Sequence, residues 1–265
     1  MDKNLLISFK EYSAIKHERP YFYFVESFKR VLYYFGAEHK KDPAHPQFKF
    51  LQKEWQEFLH KTSGTKSVVI FEGSVNTNHQ TTLEEAIEKY GESGAIVFFA
   101  DQVHVPSVRP EPTIKDEVGK FLKDFSQDEI FYFYIIRGIA SWQRAPVRKE
   151  FDEFVKLNIK RYQDELGWSD FDFSFETIKR IHGHIFGKEF DLDDKDFIAK
   201  IPNPMLNESK INEIARKSST IRNIAILDCI EKYWLEGYNI FIVYGASHAV
   251  MQERAIKDMV EAPNA

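Results

Sequence analysis

Runs of apolar, β-branched and aromatic residues, bounded by glycine, proline or charge, mark the strands of this chain. Tyr21–Val25 is a short first run. Val31–Phe35, Ser67–Phe71 and Asn239–Tyr244 read as buried strands. Between them the period changes to that of a helix: Phe48, Leu51, Trp55, Phe58 and Leu59 fall on one face, with Pro46 suited to the first turn. Leu83–Tyr90 is a polar-faced helix. Gly94–Ala100 is ambiguous, with strand propensity inside helical flanks; Val103–Val108 reads as the strand after it, closed by the loop Arg109-Pro-Glu111-Pro.

The middle of the chain is helical. Ser126-Gln-Asp-Glu129 is a capping box ahead of Ile130–Trp142, Pro146 can open a helix through Leu166, and Phe173–Phe186 reads as another. Asn207–Lys217 and Ser219–Leu235 read as two further helices, the second leading into Tyr238. Strands alternating with helices predict an α/β fold: a central, mostly parallel mixed sheet flanked by helices. We expect a single domain over 1–265, with the sheet formed by about 20–112 and 205–260. A helical insertion or lid occupies about 113–204.

Composition narrows the class. A 43% hydrophobic and 29% charged chain suits a globular protein that needs no membrane, and 24 Phe provide for a thick core. The net charge of −5 gives no electrostatic case for nucleic acid or an anionic membrane surface. The single Cys229 excludes an internal disulfide and fits a reducing compartment. With no secretory h-region and no long apolar span in the sequence, the expectation is a cytoplasmic protein acting on a small-molecule or peptide substrate, its oligomeric state open.

One unit occurs twice: strand, Gly-Ala-x-His, helix. It appears as Val31–Phe35 with Gly36-Ala-Glu38-His39, and as Asn239–Tyr244 with Gly245-Ala-Ser-His248. Glycine at a strand end permits positive φ and a sharp turn, which would lift each histidine out at the carboxyl end of the sheet, where open α/β sheets keep their ligands. Glu72, after Ser67–Phe71, is presented at the same edge. Two imidazoles and a carboxylate there can hold a divalent metal (manganese, cobalt or zinc) or polarise water directly. Either histidine could instead cap a buried turn, and Glu72 could be a surface carboxylate. Glu38 can orient an imidazole or a substrate, and His45 lies on the following loop. Glu111, in its proline-flanked loop, and Asn223 are further candidates for substrate binding. Arg222 reads as the start of the helix feeding the second motif, where a guanidinium would bind a developing anionic oxygen. The polar residues before it (Asn212, Ser218, Ser219, Thr220) look like site lining.

Two other patterns carry less. His182-Gly-His184 lies in a helical pattern, where residues two apart point away from each other. Asp191–Asp196 lacks the glycine of a calcium loop and has Lys195 where an oxygen ligand is needed. There is no P-loop, dinucleotide fingerprint, G-x-S-x-G, H-E-x-x-H or C-x-x-C motif.

Gly36-Ala-Glu38-His39, Glu72, Arg222 and Gly245-Ala-Ser-His248 together resemble the erythromycin esterase/ChaN/TraB/TIKI superfamily. Gly36-Ala-Glu-His-Lys-Lys-Asp-Pro-Ala-His45-Pro-Gln47 is similar to the opening motif of ChaN-like members, although Glu38 is shifted by one position from the family glutamate. The resemblance spans roughly residues 20–112 and 205–260. It implies pseudo-twofold halves with both Gly-x-x-His turns converging on one pocket. Known members are an esterase activating water with His and Glu, metal-dependent proteases, and haem- or iron-binding proteins. A hydrolase-like enzyme is therefore expected, with His39, Glu72, His248 and Arg222 as its working residues. A non-catalytic metal or haem binder and a pseudo-enzyme interaction protein are the alternatives.

Overall fold

The structure, a computed structural model, describes residues 1–27, 30–75, 82–145 and 148–261. A short 3-10 turn and α1 (Phe9–Ala14) precede β1 (Tyr21–Ser27) and β2 (Arg30–Ala37). Then come α2 (Pro46–Lys61), β3 (Ser67–Phe71), α3 (Leu83–Gln102) and β4 (Ser107–Val108). Six helices follow: α4 (Ile114–Phe121), α5 (Gln127–Arg144), α6 (Phe151–Leu166), α7 (Phe175–Phe186), α8 (Lys195–Lys200) and α9 (Lys210–Leu235). β5 (Asn239–Gly245) and α10 (Ala246–Glu261) are the last elements among the described residues.

The expected α/β architecture is present. Five strands run in the order β1-β2-β5-β3-β4, and the four from β2 to β4 are mutually parallel. β1 departs from the βαβ pattern: it pairs antiparallel with β2 as a hairpin, Tyr21 opposite Gly36. Side chains of the central strands alternate between two apolar layers, as the two-residue period of a strand requires. Tyr33, Phe35, Val69, Phe71, Phe241 and Val243 pack under α2 and α3. Leu32, Tyr34, Val68, Ile70, Ile240 and Ile242 face the last turns of α9 (Ile226, Leu227, Ile230, Trp234) and α10.

The chain divides into two compact units, one of residues 1–111 and 223–265, the other Pro112–Arg222. Among the described residues the second has only helices as regular elements, with its own core centred on α5, whose residues Ile130–Ile136 are all buried.

Several local expectations change. Gly94–Ala100 is helical, part of α3, because its apolar residues are packed against the sheet from a helix rather than hydrogen-bonded into it. Val103 is the cap of α3, so the strand that follows keeps only Ser107–Val108. The two helices expected between Asn207 and Leu235 are one continuous α9, since nothing between Lys217 and Ser219 breaks the backbone ladder. Helix α6 begins at Phe151; Pro146 lies outside the described residues.

Candidate functional site

The register of the sheet brings the two Gly-Ala turns side by side. β2 and β5 are parallel neighbours with Gly36 opposite Tyr244 and Ala37 opposite Gly245, and β3 lies on the other side of β5. His39, Gly245 and Glu72 therefore sit at the carboxyl ends of three adjacent strands, the position at which open parallel sheets bind ligands.

The glycines do not act as the sequence suggests. Neither Gly36 nor Gly245 has positive φ; the residue in the left-handed region is His39 itself, at φ 59°. What the glycines provide is space. A Cβ on Gly36 would stand 2.7 Å from the carbonyl oxygen of Tyr21 and 2.9 Å from the Ala249 Cβ, so this glycine lets α10 and β1 close on the strand end. A Cβ on Gly245 would stand 2.5 Å from His39 Nε2 and 3.5 Å from Glu72 Oε2. Left-handed backbone at a non-glycine residue costs on the order of 1–2 kcal/mol and is found where surrounding contacts enforce it.

The two motifs also end differently. α10 starts at Ala246 without a loop, so His248 lies within its first turn and is buried, 6% exposed. Helix α2 does not begin until Pro46, leaving His39 on a loop with its side chain 64% exposed.

Around His39 the groups are close. Its Nε2 lies 3.9 Å from Glu72 Oε2, whose oxygen is fixed by the main-chain N–H of Gly245 at 2.8 Å. Its Nδ1 lies 3.8 Å from Oε1 of Glu92, a residue the sequence reading did not single out. Burial pushes the Glu92 carboxyl above the ordinary carboxylate range, against the pull of the nearby imidazole. The sequence signal for Glu92 was the preceding glycine: Gly91 breaks α3 with φ 63°, and a Cβ there would meet the Lys40 carbonyl oxygen at 2.8 Å.

His248 belongs to a second polar group. Its Nδ1 is 2.7 Å from Asn223 Oδ1, which also accepts from Gln252 Nε2 at 2.7 Å, and Gln252 Oε1 accepts from the Tyr34 hydroxyl at 3.0 Å. An amide oxygen only accepts, so at this contact the His248 ring donates through Nδ1. Its ring meets Tyr244 edge to face.

The remaining candidates have identifiable contacts. Glu111 Oε2 accepts from the Gly73 N–H at 2.9 Å and is 3.9 Å from Arg109. The main-chain N–H of Glu38 donates to Gln47 Oε1 at 3.1 Å. His45 is the N-cap of α2, its Nδ1 accepting from the Gln47 N–H at 3.4 Å. Arg222 stands inside α9, twelve residues past its start at Lys210, rather than beginning a helix. Two of the polar residues before it do structural work: Asn212 accepts from the Glu208 and Ser209 N–H groups and donates to three carbonyls, and Ser218 donates to Glu117.

Among the described residues, no group of three or more His, Cys, Asp or Glu side chains is arranged to hold a metal ion. No helix among them is long and apolar enough to cross a membrane. Comparison with protein-family models, curated proteins and solved structures finds no match to this chain.

Proposed function

We propose that the chain is a hydrolase-like enzyme in which His39 and Glu72 activate a water molecule for attack on an ester, lactone or peptide carbonyl. The observation that carries this reading is the pair itself: an exposed imidazole nitrogen and an anchored carboxylate oxygen face each other across 3.9 Å. That gap is too long for a direct hydrogen bond and matches one bridged by water. A bridging water would donate one hydrogen to Glu72 and the other to His39 Nε2. As its oxygen attacks the carbonyl, the proton passes to Nε2, and Glu72 stabilises the imidazolium that forms. The imidazolium then returns the proton to the leaving oxygen or nitrogen. His248, Glu38, His45, Glu111 and Asn223 stand as candidates for holding the substrate and Arg222 for the developing anionic oxygen. The resemblance to the erythromycin esterase/ChaN/TraB/TIKI superfamily supports the same chemistry.

A divalent ion would take His39 and Glu72 as ligands, lowering the pKa of bound water. The exposed His39 ring also suits a non-catalytic protein that binds metal or haem.

Turnover of an ester, lactone and peptide panel by wild type, His39→Ala, Glu72→Gln, His248→Ala and Arg222→Lys tests the reading. Loss of at least a hundredfold in the first two variants, with unfolding midpoints kept, is the expected result. Full activity in folded His39→Ala would exclude it. Elemental analysis and an absorption spectrum of the same proteins separate the binding alternative: a stoichiometric metal or a Soret band, lost in His39→Ala, with no turnover.

A further inference from the structure

Water activation by an imidazole requires that Nε2 be the unprotonated nitrogen, which in turn requires an acceptor for a proton on Nδ1. His39 has one in Glu92. The Glu92 side chain is only 6% exposed, and its Oε1, buried and without a hydrogen-bond partner, lies 3.8 Å from His39 Nδ1. Buried carboxylate oxygens are seldom left unsatisfied, since each costs about 1–3 kcal/mol or more when orphaned.

The local chain is built to hold Glu92 there. Gly91 is the break in α3, and its missing side chain lets that turn approach the Lys40 carbonyl. Lys41 Nζ donates to the Lys89 carbonyl at 2.9 Å, docking the loop after His39 onto the same turn of helix. Lys41 is thus bonded to α3 and Lys40 packed against it, beside the His39 ring and Glu92. The left-handed backbone of His39 lies in this docked loop, with its ring directed to the Glu92 carboxylate.

We propose that Glu92 is the positioning residue of His39. It accepts the Nδ1 proton, fixes the imidazole as its Nδ1–H tautomer, and turns Nε2 toward Glu72 and Gly245. This rests on the reading of His39 as the water-activating base. The 3.8 Å separation shortens to a hydrogen bond by a small rotation of the exposed ring, as unliganded sites commonly do when substrate binds. The arrangement parallels metal-free His–carboxylate pairs in which the carboxylate sets orientation and never bonds to substrate.

The test reads the ring directly. The protein is labelled with 15N-histidine, and the His39 ring signals are assigned by their loss in His39→Ala. Long-range 1H–15N spectra at alkaline pH then report which nitrogen carries the proton. In wild type the protonated-type signal should belong to Nδ1. In Glu92→Met, which fills the site but offers no acceptor, it should move to Nε2, the form favoured by a free imidazole. Glu92→Gln keeps an acceptor oxygen and should restore the Nδ1–H form. If Glu92→Met does not fold, Glu92→Leu replaces it, and the wild-type tautomer alone still decides. A wild-type ring protonated on Nε2, or a folded Met or Leu variant that keeps Nδ1–H, overturns the proposal. The turnover panel is read separately. No turnover with a Glu92-dependent tautomer removes the reaction and leaves the positioning; turnover with a Glu92-independent tautomer does the reverse.

Discussion

Gly36 and Gly245 occupy equivalent places in a repeated motif, yet what surrounds them differs in kind. The obstacle at Gly36 is backbone, the Tyr21 carbonyl in the β1–β2 ladder, together with the Ala249 Cβ on a packed helix. Neither can move without separating elements. Gly36→Ala is therefore predicted to destabilise the fold by about 1–3 kcal/mol, the ordinary range for overpacking. The obstacle at Gly245 is the end of an exposed imidazole, which can swing away. Gly245→Ala should unfold within about 0.5 kcal/mol of wild type, while losing the His39–Glu72 geometry and with it any turnover. Chemical denaturation and the substrate panel, run on both variants, check this pair of outcomes. A stable Gly36→Ala or an active Gly245→Ala contradicts the assignment. The sequence showed that these glycines matter but suggested the wrong reason, positive φ. The close approaches that require them come from β1 and from the His39 ring, and neither can be read from the residues adjoining each glycine.

Element by element, legibility followed burial and length. Strands β2, β3 and β5 were evident because each is buried on both faces and reads as one apolar run. α5 was evident from its capping box, which the structure contains. Helix α3 was obscured because its second half, buried on nearly every side, has a strand-like composition, and because a glycine breaks it internally. That break hid Glu92 as well, since Glu92 reaches His39 only through the kink. Gly91 (φ 63°, ψ −139°) sits in a backbone region open essentially to glycine, so Gly91→Ala should cost about 1–3 kcal/mol, with more from the contact to the Lys40 carbonyl. Urea unfolding measures it, and an unchanged midpoint would refute the role given to the kink. In α7, His182 is a structural histidine: it is 1% exposed, its Nδ1 is 2.7 Å from the Tyr132 hydroxyl, and Phe186, Phe190 and Phe197 surround it. Burial, reinforced by Lys188, holds its pKa below the usual value of 6.5. The unfolded chain therefore takes up a proton at this residue before the folded chain does. Its contribution to stability is complete above about pH 6.5 and declines as the pH falls below it. Between about pH 7 and 5.5 the unfolding midpoint of wild type should fall more steeply than that of His182→Phe; parallel slopes would show that His182 does not control this loss.

At the scale of the whole molecule the chain carries two cores, and the helical one consists entirely of residues from Pro112–Arg222. Its centre is α5, apolar on all sides, with Phe131, Tyr132, Phe133 and Tyr134 buried in succession. A helix of that kind is stable only when enclosed, and α6, α7 and α8 together with the first half of α9 supply residues to the same cluster. Two of its buried polar groups are matched: Glu117 accepts from the Tyr134 hydroxyl at 2.8 Å and from the Ser218 hydroxyl at 2.9 Å, and Asn212 ties the start of α9 to the carbonyls of Lys200, Ile201 and Asn203. A segment of roughly 110 residues with its own apolar core is in the size range of an independently folding domain. Residues 112–222 expressed alone should therefore give a helical circular dichroism spectrum and a single cooperative urea transition. Glu117→Leu in that fragment should leave the Tyr134 and Ser218 hydroxyls buried without their acceptor and lower its stability by about 1–3 kcal/mol. A fragment that is helical but melts without cooperativity would mean that this core is completed only by the rest of the chain.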